Sequence, residues 1–281
     1  MSARLVVRHR TGYRYPQGAL VSFDEVRLTP PTTAEQTVFS TRVEVTPTPW
    51  SFQYVDYWGT HVTAFELHER HEQLVVTATS SLDVHRPPRT GQGLTWDALA
   101  AASVGSEPCE YLAVTDRVAP PPDLAARVAD LRRTASSPAA LVDAVVGLVH
   151  DEVRYETGST HVASSAADAW AARAGVCQDL THLTIGALRS VGVPTRYVSG
   201  YVLPDPEAPL GEPVPGESHA WVEWWDGTWL GIDVTNLVVP GDLHVEVAHG
   251  RDYADVPPLT GVFTGAPASD MFVEVTVTRT A

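Results

Sequence analysis

The period of the hydrophobic pattern changes once along this chain, and that change limits what the chain can fold into. Up to about residue 85, apolar residues occur in short β-branched or alternating runs. The runs cover residues 4–9, 39–45 (with Val43 and Val45 on one face), 62–67 and 74–84, and turn chemistry at residues 30–31, 47–49 and 58–59 separates them. Strands at this spacing predict a small β-sandwich. The stretch RPPRTGQG at 86–93 then reads as a linker. Beyond it, Ala-, Leu- and Arg-rich segments predict helices over 96–102, 124–134 and 139–153, with Leu141, Val145, Leu148 and Val149 on one face of the last. A short helix over 166–174 ends at Gly175, read as its C-cap.

The pattern after Gly175 is the most informative. Leu180, Leu183, Ala187, Leu188 and Val191 fall at helical spacing, so 177–191 is a helix that begins at Cys177 and is stopped by Gly192-Val193-Pro194. Residues 195–202 read as a strand. The Pro/Gly-rich stretch 204–217 reads as a surface loop bordering a cleft. Segments 219–225 and 228–233 form a hairpin about Asp226-Gly227. Residues 271–279 alternate cleanly and form a final strand that either sheet could accept. The domain reading is 1–86 β-rich, 87–110 linker and start of the core, and 111–281 core.

Composition narrows the function. The 281 residues carry a formal net charge of −15, and all 19 basic residues are arginine. No basic cluster offers a footprint for nucleic acid. No apolar run reaches signal-peptide or membrane-span length. The two cysteines, Cys109 and Cys177, make neither a disulfide framework nor a four-thiolate zinc site. The expectation is a cytoplasmic protein with reactive thiols, no cofactor, no metal, no membrane and no nucleic acid.

Cys177 stands where a helix begins. Unpaired backbone N–H groups there favour a thiolate and face an oxyanion formed beside it, so the backbone of Cys177, with Gln178, is the expected oxyanion hole. His219 opens an aromatic strand as the candidate base, and Asp233 closes its partner strand. With the turn centred on Asp226-Gly227, 219 and 233 lie opposite one another to within one residue, so Asp233 can orient the imidazole. Each residue alone has an ordinary structural reading: a buried thiol, a hydrogen-bonding histidine, a turn aspartate. Their common setting favours a Cys-His-Asp triad. Tyr201, Trp221 and Trp224 are expected to wall the substrate site. Asp179 reads as a helix-dipole partner whose charge opposes a thiolate nearby. His182 lies about 140° around the helix from Cys177 and faces elsewhere. His161, His244 and His249 show no ligand spacing.

The blocks GVCQDLTHLTIGALRSVGVPTRYVSGYV, ESHAWVEWWDGTWLGIDVTN and HVEVAHGRDYADVPPLTGVFTG resemble the bacterial transglutaminase-like family. YRYPQGALVSFDEVRLTPP, DYWGT and HEQLVV are similar to the β-rich region that precedes its core. The resemblance implies an α+β, papain-like core, with a nucleophile helix packed on an antiparallel sheet, behind a small all-β domain. It gives Cys177, His219 and Asp233 the triad roles and implies acyl transfer or amide hydrolysis on a protein or peptide substrate. The acceptor, the substrate, the oligomeric state and the part played by the β domain stay open. So does the meaning of the missing lysines: GC-rich coding is the simpler cause, and avoidance of self-modification by a lysine-acylating enzyme the weaker one. The competing readings are a protein-binding module on a spent enzyme fold and a thiol metal site lacking enough ligands.

Overall fold

The computed structural model describes residues 2–104, 107–265 and 270–281. The N-terminal sequence folds around one long strand, β1 (Ala3–Thr29), followed by β2 (Gln36–Thr46), β3 (Trp50–Val55), β4 (His61–Leu67) and β5 (His71–Val84). The first half of β1 pairs antiparallel with β5. Its second half, beyond a register shift between Arg14 and Ala19, pairs with β4. Gly12, Pro16 and Gly18 read as breakers, which is why the sequence shows only the start of this strand. They work here as close-approach and bend positions. A Cβ on Gly12 would lie 1.9 Å from the Leu74 carbonyl oxygen, and Gly18 has φ of 78°. Where the sequence led one to expect a small sandwich, these strands belong to one eight-stranded sheet, and a core of Tyr15, Val26, Leu28, Phe65, Leu74 and Val76 packs within it.

The helices follow: α1 (Trp96–Ala102), a 3-10 turn (Glu107–Leu112), α2 (Pro122–Thr134), α3 (Pro138–Glu152), α4 (Ala166–Ala172) and α5 (Cys177–Arg189). Thr95, Ser137 and Ser165 cap α1, α3 and α4 through their hydroxyls. Helix α4 ends on Arg173 in the left-handed region, φ 51°, rather than on Gly175. Gly175 instead lies in a two-residue strand, β7 (Ala174–Gly175), parallel to β6 (Arg154–Tyr155).

A second, antiparallel sheet has the order β11 (Trp229–Ile232), β10 (Glu217–Trp225), β8 (Thr195–Val202), β12 (His244–Gly250). Leu180, Leu183, Ala187 and Leu188 of α5 share a buried cluster with Ala220, Val222 and Trp224 of β10. Each large side chain so buried contributes roughly 1.5–3 kcal/mol. The nucleophile helix is thus fixed to the sheet that carries His219.

The division at residue 86 is crossed by the chain itself. Within 204–217, β9 (Pro213–Pro215) pairs with the final strand β14 (Asp270–Arg279), and β14 pairs with β1; β13 (Leu259–Gly265) also pairs with β1. The C-terminal strands therefore belong to the N-terminal sheet. Leu5, Val7 and Leu82 enter the same cluster as Leu124, Leu141 and Leu180, so one core runs through both parts. The stretch 86–93 is docked, too. Gln92 N–H donates to the Asp226 carbonyl at 2.9 Å, and Gly93 and Leu94 N–H donate to the Asp226 carboxylate at 2.9 and 2.7 Å. No described helix is long and apolar enough to cross a membrane.

Candidate active site

Cys177 is the first residue of α5, after Val176 in extended conformation. The Asp179 side chain folds back over this start. Its Oδ2 accepts Val176 N–H at 2.8 Å and the Thr160 hydroxyl at 2.5 Å. Only a glycine at 175 leaves room for it, because a Cβ there would lie 2.7 Å from Asp179 Cβ. Burial pushes the Asp179 carboxyl up, against the Thr160 and Val176 donors that pull it down. The charge that would oppose a thiolate is thereby weakened and turned toward the chain entering the helix.

His219 and Asp233 meet through sheet register, but not in the register read from the dipeptide. Trp225 pairs with Trp229 and Val222 with Ile232, so the turn holds three residues, with Gly227 at φ 78°. Continuing the ladder puts Asp233 opposite Trp221, diagonal to His219 on the same face. The contact survives the shift: His219 Nε2 lies 2.7 Å from Asp233 Oδ2. Beyond β11, Asp233 is held by a bridge to Val238, its N–H donating to the Val238 carbonyl at 2.9 Å.

Asp233 is fully buried and surrounded by donors. Oδ1 accepts Thr235 and Asn236 N–H, each at 3.1 Å. Oδ2 accepts Asn236 Nδ2 at 2.7 Å and lies 3.2 Å from His244 Nε2. Gly241 N–H donates to His244 Nδ1 at 3.3 Å, so the neutral ring carries its hydrogen on Nε2 and gives it to Asp233. Burial alone would raise the Asp233 carboxyl; the donors His219, His244 and Asn236 outweigh it and hold the group well below the usual carboxylate range.

Burial would push the His219 imidazole down, but hydrogen bonds to Asp233 and Cys177 outweigh it and raise the ring to about 10. With Nε2 committed to Asp233, Nδ1 is the nitrogen left for Cys177. His219 is thus hydrogen-bonded to Asp233, and it shares one cavity with Cys177, whose interaction helps raise the ring.

Cys177, Gln178 and His219 open onto a cavity of about 290 Å³. Val162, Tyr197 and Tyr253 line it as well, together with residues of β1 and β14.

Residues 5–83 match the family model of the bacterial transglutaminase-like N-terminal region, and residues 125–234 match that of the transglutaminase-like superfamily. An uncharacterized protein of Mycobacterium leprae is 40% identical over 284 residues, covering 99% of each chain. The chain belongs to the bacterial transglutaminase-like family. An uncharacterized Mycobacterium tuberculosis protein is 32% identical over 293 residues, covering 98% of this chain and 92% of its own. Among solved structures, a candidate cysteine protease from Cytophaga hutchinsonii superposes with a TM-score of 0.80 at 20% identity, covering 100% of this chain and 92% of its own. That likeness shows the shared fold.

Several side chains of this transglutaminase-like chain sit elsewhere than the sequence led one to expect. Tyr201, Trp221 and Trp224 are buried, and none borders the cavity. Trp221 packs edge-on against His244, with ring centroids 5.6 Å apart. Trp224 points to the opposite face of β10 and enters the core. Within 204–217, β9 is taken up by β14, and no residue of that stretch lines the cavity. His182 faces away from Cys177, as its helical angle predicts, and its Nε2 accepts Tyr253 N–H at 3.2 Å.

One residue that sequence reasoning missed is His244. Spacing gave it no role, because it reaches Asp233 from a different strand. His219, Asp233 and His244 bring one ligand atom each within 4.8 Å of one another, a three-ligand set that could hold a metal. The 2.7 and 3.2 Å separations are those of hydrogen-bonded pairs. A cation there would have to take the His219 nitrogen that Asp233 occupies.

Proposed function

We propose that this protein is a cysteine-dependent acyl-transfer enzyme acting on an amide of a peptide or protein, with Cys177 as nucleophile, His219 as acid–base and Asp233 as the orienting carboxylate. The observation that carries this reading is that Cys177, at the start of a buried helix, and His219, hydrogen-bonded to the buried Asp233, line one cavity. In the first step the Cys177 thiolate adds to the amide carbonyl carbon while His219 is imidazolium. The oxyanion faces the N–H groups of Cys177 and Gln178, which have no acceptor within the helix. Collapse of the adduct breaks the C–N bond. The Nδ1 proton of His219 passes to the departing amine, leaving a thioester and neutral imidazole. Water or a second amine then adds to the thioester and gives its proton to His219. The product is a carboxylic acid or a new amide, and the thiolate–imidazolium pair returns.

Asp233, kept ionised by its donors, holds His219 with Nε2 protonated and Nδ1 toward sulfur. The acidic surface disfavours polyanionic partners, and the two free cysteines fit a reducing cytoplasm.

Iodoacetamide followed by peptide mapping tests the shared claim: Cys177 is alkylated, and a Cys177→Ala variant forms no thioester with a peptide carboxamide. Labelling of Cys109 with Cys177 untouched sinks the proposal. Adding a tagged primary amine during turnover, and weighing the product, tells transamidation from hydrolysis.

A further inference from the structure

The cavity beside Cys177 is not built by the core alone. His9 and Thr11 come from β1, and Met271 and Val273 come from β14, so the N-terminal sheet forms one wall. Register fixes this wall, since Thr11 pairs directly with Val273 and Tyr13 with Met271. Met271 and Val273 are about half exposed at the rim, and with Val162 and Val176 they make the lining largely apolar.

Thr11, Gln178, Ser199 and Ser218 also line it, but among the described residues of the lining only His9 has a buried polar side-chain atom without a hydrogen-bond partner. His9 is 2% exposed, and its Nε2 has no hydrogen-bond partner among the described residues. Its Nδ1 lies 2.9 Å from the hydroxyl of Tyr201, a buried residue that does not border the cavity. The ring edge opposite Nδ1 is thus turned away from Tyr201.

Hydrogen-bond accounting selects the tautomer. If Tyr201 O–H donates to Nδ1, the His9 hydrogen sits on Nε2 and one donor is left over. If Nδ1–H donated to Tyr201 instead, both the phenol hydrogen and the Nε2 lone pair would be stranded. Burial raises the Tyr201 phenol, which stays protonated, and lowers His9 to about 4, which leaves the ring neutral at pH 7. His9 therefore carries an uncharged, unpartnered N–H buried in the wall of this cleft.

Resting on the acyl-transfer reading above, we propose that this wall is the substrate subsite: the apolar lining takes an apolar side chain flanking the scissile amide, and His9 Nε2–H donates to a carbonyl oxygen of the substrate backbone. The donor is buried in the cavity wall, and a substrate reaches it when side chains of the rim turn aside. The N-terminal sheet thereby selects the substrate. A stranded donor costs folding free energy until a substrate acceptor pairs with it.

The test measures alkylation rates at Cys177 for two chloromethyl ketones of equal size, acetyl-Leu-Leu and acetyl-Asn-Asn, with iodoacetamide as a probe too small to need the subsite. The Leu-Leu probe should react at least roughly tenfold faster than the Asn-Asn probe. His9→Leu should slow the Leu-Leu probe about tenfold, and His9→Gln, which keeps a neutral N–H, should restore most of the rate. Val273→Asn, at a half-exposed position where folding is not at stake, should erode the Leu-Leu preference. Iodoacetamide rates should stay constant across all three variants. Equal rates for the two peptide probes, or a His9→Leu protein that keeps the full Leu-Leu rate, overturn the subsite while Cys177 reactivity stands. Failure of iodoacetamide to modify Cys177 overturns the acyl-transfer reading and the subsite with it.

Discussion

His244 and His219 meet on one atom, Oδ2 of Asp233, at 3.2 and 2.7 Å. Because Gly241 fixes the His244 hydrogen on Nε2, His244 acts as a neutral donor that shares the carboxylate's charge with His219. Removing that donor leaves Asp233 a stronger partner for the imidazolium. His244→Leu should therefore move the alkaline limb of the pH–rate profile, set by His219 near 10, further up. Release of the proton to the leaving amine should slow as well. The expected loss in kcat is roughly tenfold, the size of one hydrogen bond to a charged group at about 1.5 kcal/mol. His244→Gln, able to donate from a similar reach, should restore the limb. An unshifted profile with lower activity would mean that His244 only packs.

Cys177, His219 and Asp233 should fail unequally. Cys177→Ala and His219→Ala should abolish thioester formation in a single-turnover assay. Asp233→Asn keeps the shape of the side chain but offers an amide where a carboxylate held the imidazole. Its rate should fall by roughly 10³–10⁴ and remain measurable above the Cys177→Ala background.

Much of this site could be read before folding, and what could not has physical causes. Cys177 declared itself because a helix start is local: a glycine, a cysteine and a 3.6-residue period. His219 and Asp233 could be paired because a hairpin ties sequence distance to space, and a diagonal contact tolerated the two-residue turn assumed where three residues are used. His244 was hidden, since its contact with Asp233 depends on how β12 joins β8, a pairing that no spacing encodes. His9 was hidden more deeply, being 168 positions before Cys177 on a strand whose glycines and proline looked like its end. The aromatic strand misled in the other direction. Trp221 and Trp224 looked like cleft walls, but alternation along β10 sends one against His244 and the other into the core.

The sheet that presents His219 depends on a buried ion pair. Arg196 lies 2.6 Å from Glu223 across β8 and β10, stacks over Trp229 at 4.5 Å, and both partners are buried. Arg196→Met leaves the Glu223 carboxylate buried without its cation, which should cost about 3–5 kcal/mol in urea unfolding. The double change Arg196→Met with Glu223→Leu should recover most of that loss, because well-packed apolar residues replace such pairs at little cost. Additive losses in the double variant would contradict this.

Acid should weaken the fold through a histidine on the nucleophile helix. His182 is fully buried, its Nε2 accepts Tyr253 N–H at 3.2 Å, and burial lowers the ring to about 4. In the unfolded chain the same ring titrates near 6.5. Below that pH the unfolded state binds a proton that the folded state refuses, so stability falls as pH drops from about 6.5 to about 4 and then levels off for this group. The span of two to three pH units corresponds to roughly 3 kcal/mol. His219 behaves oppositely: its folded value near 10 lies above the unfolded one, so its contribution is complete below pH 6.5 and is lost as pH rises toward 10. Urea unfolding across pH separates the two. His182→Gln, whose side-chain oxygen can still accept from Tyr253, should flatten the slope between pH 6.5 and 4 by about one proton and leave the alkaline limb in place. Because Tyr253 also lines the Cys177 cavity, protonation of His182 breaks a hydrogen bond that holds the cleft. Peptide-probe labelling of Cys177 should therefore decline with acid earlier in the wild-type protein than in His182→Gln.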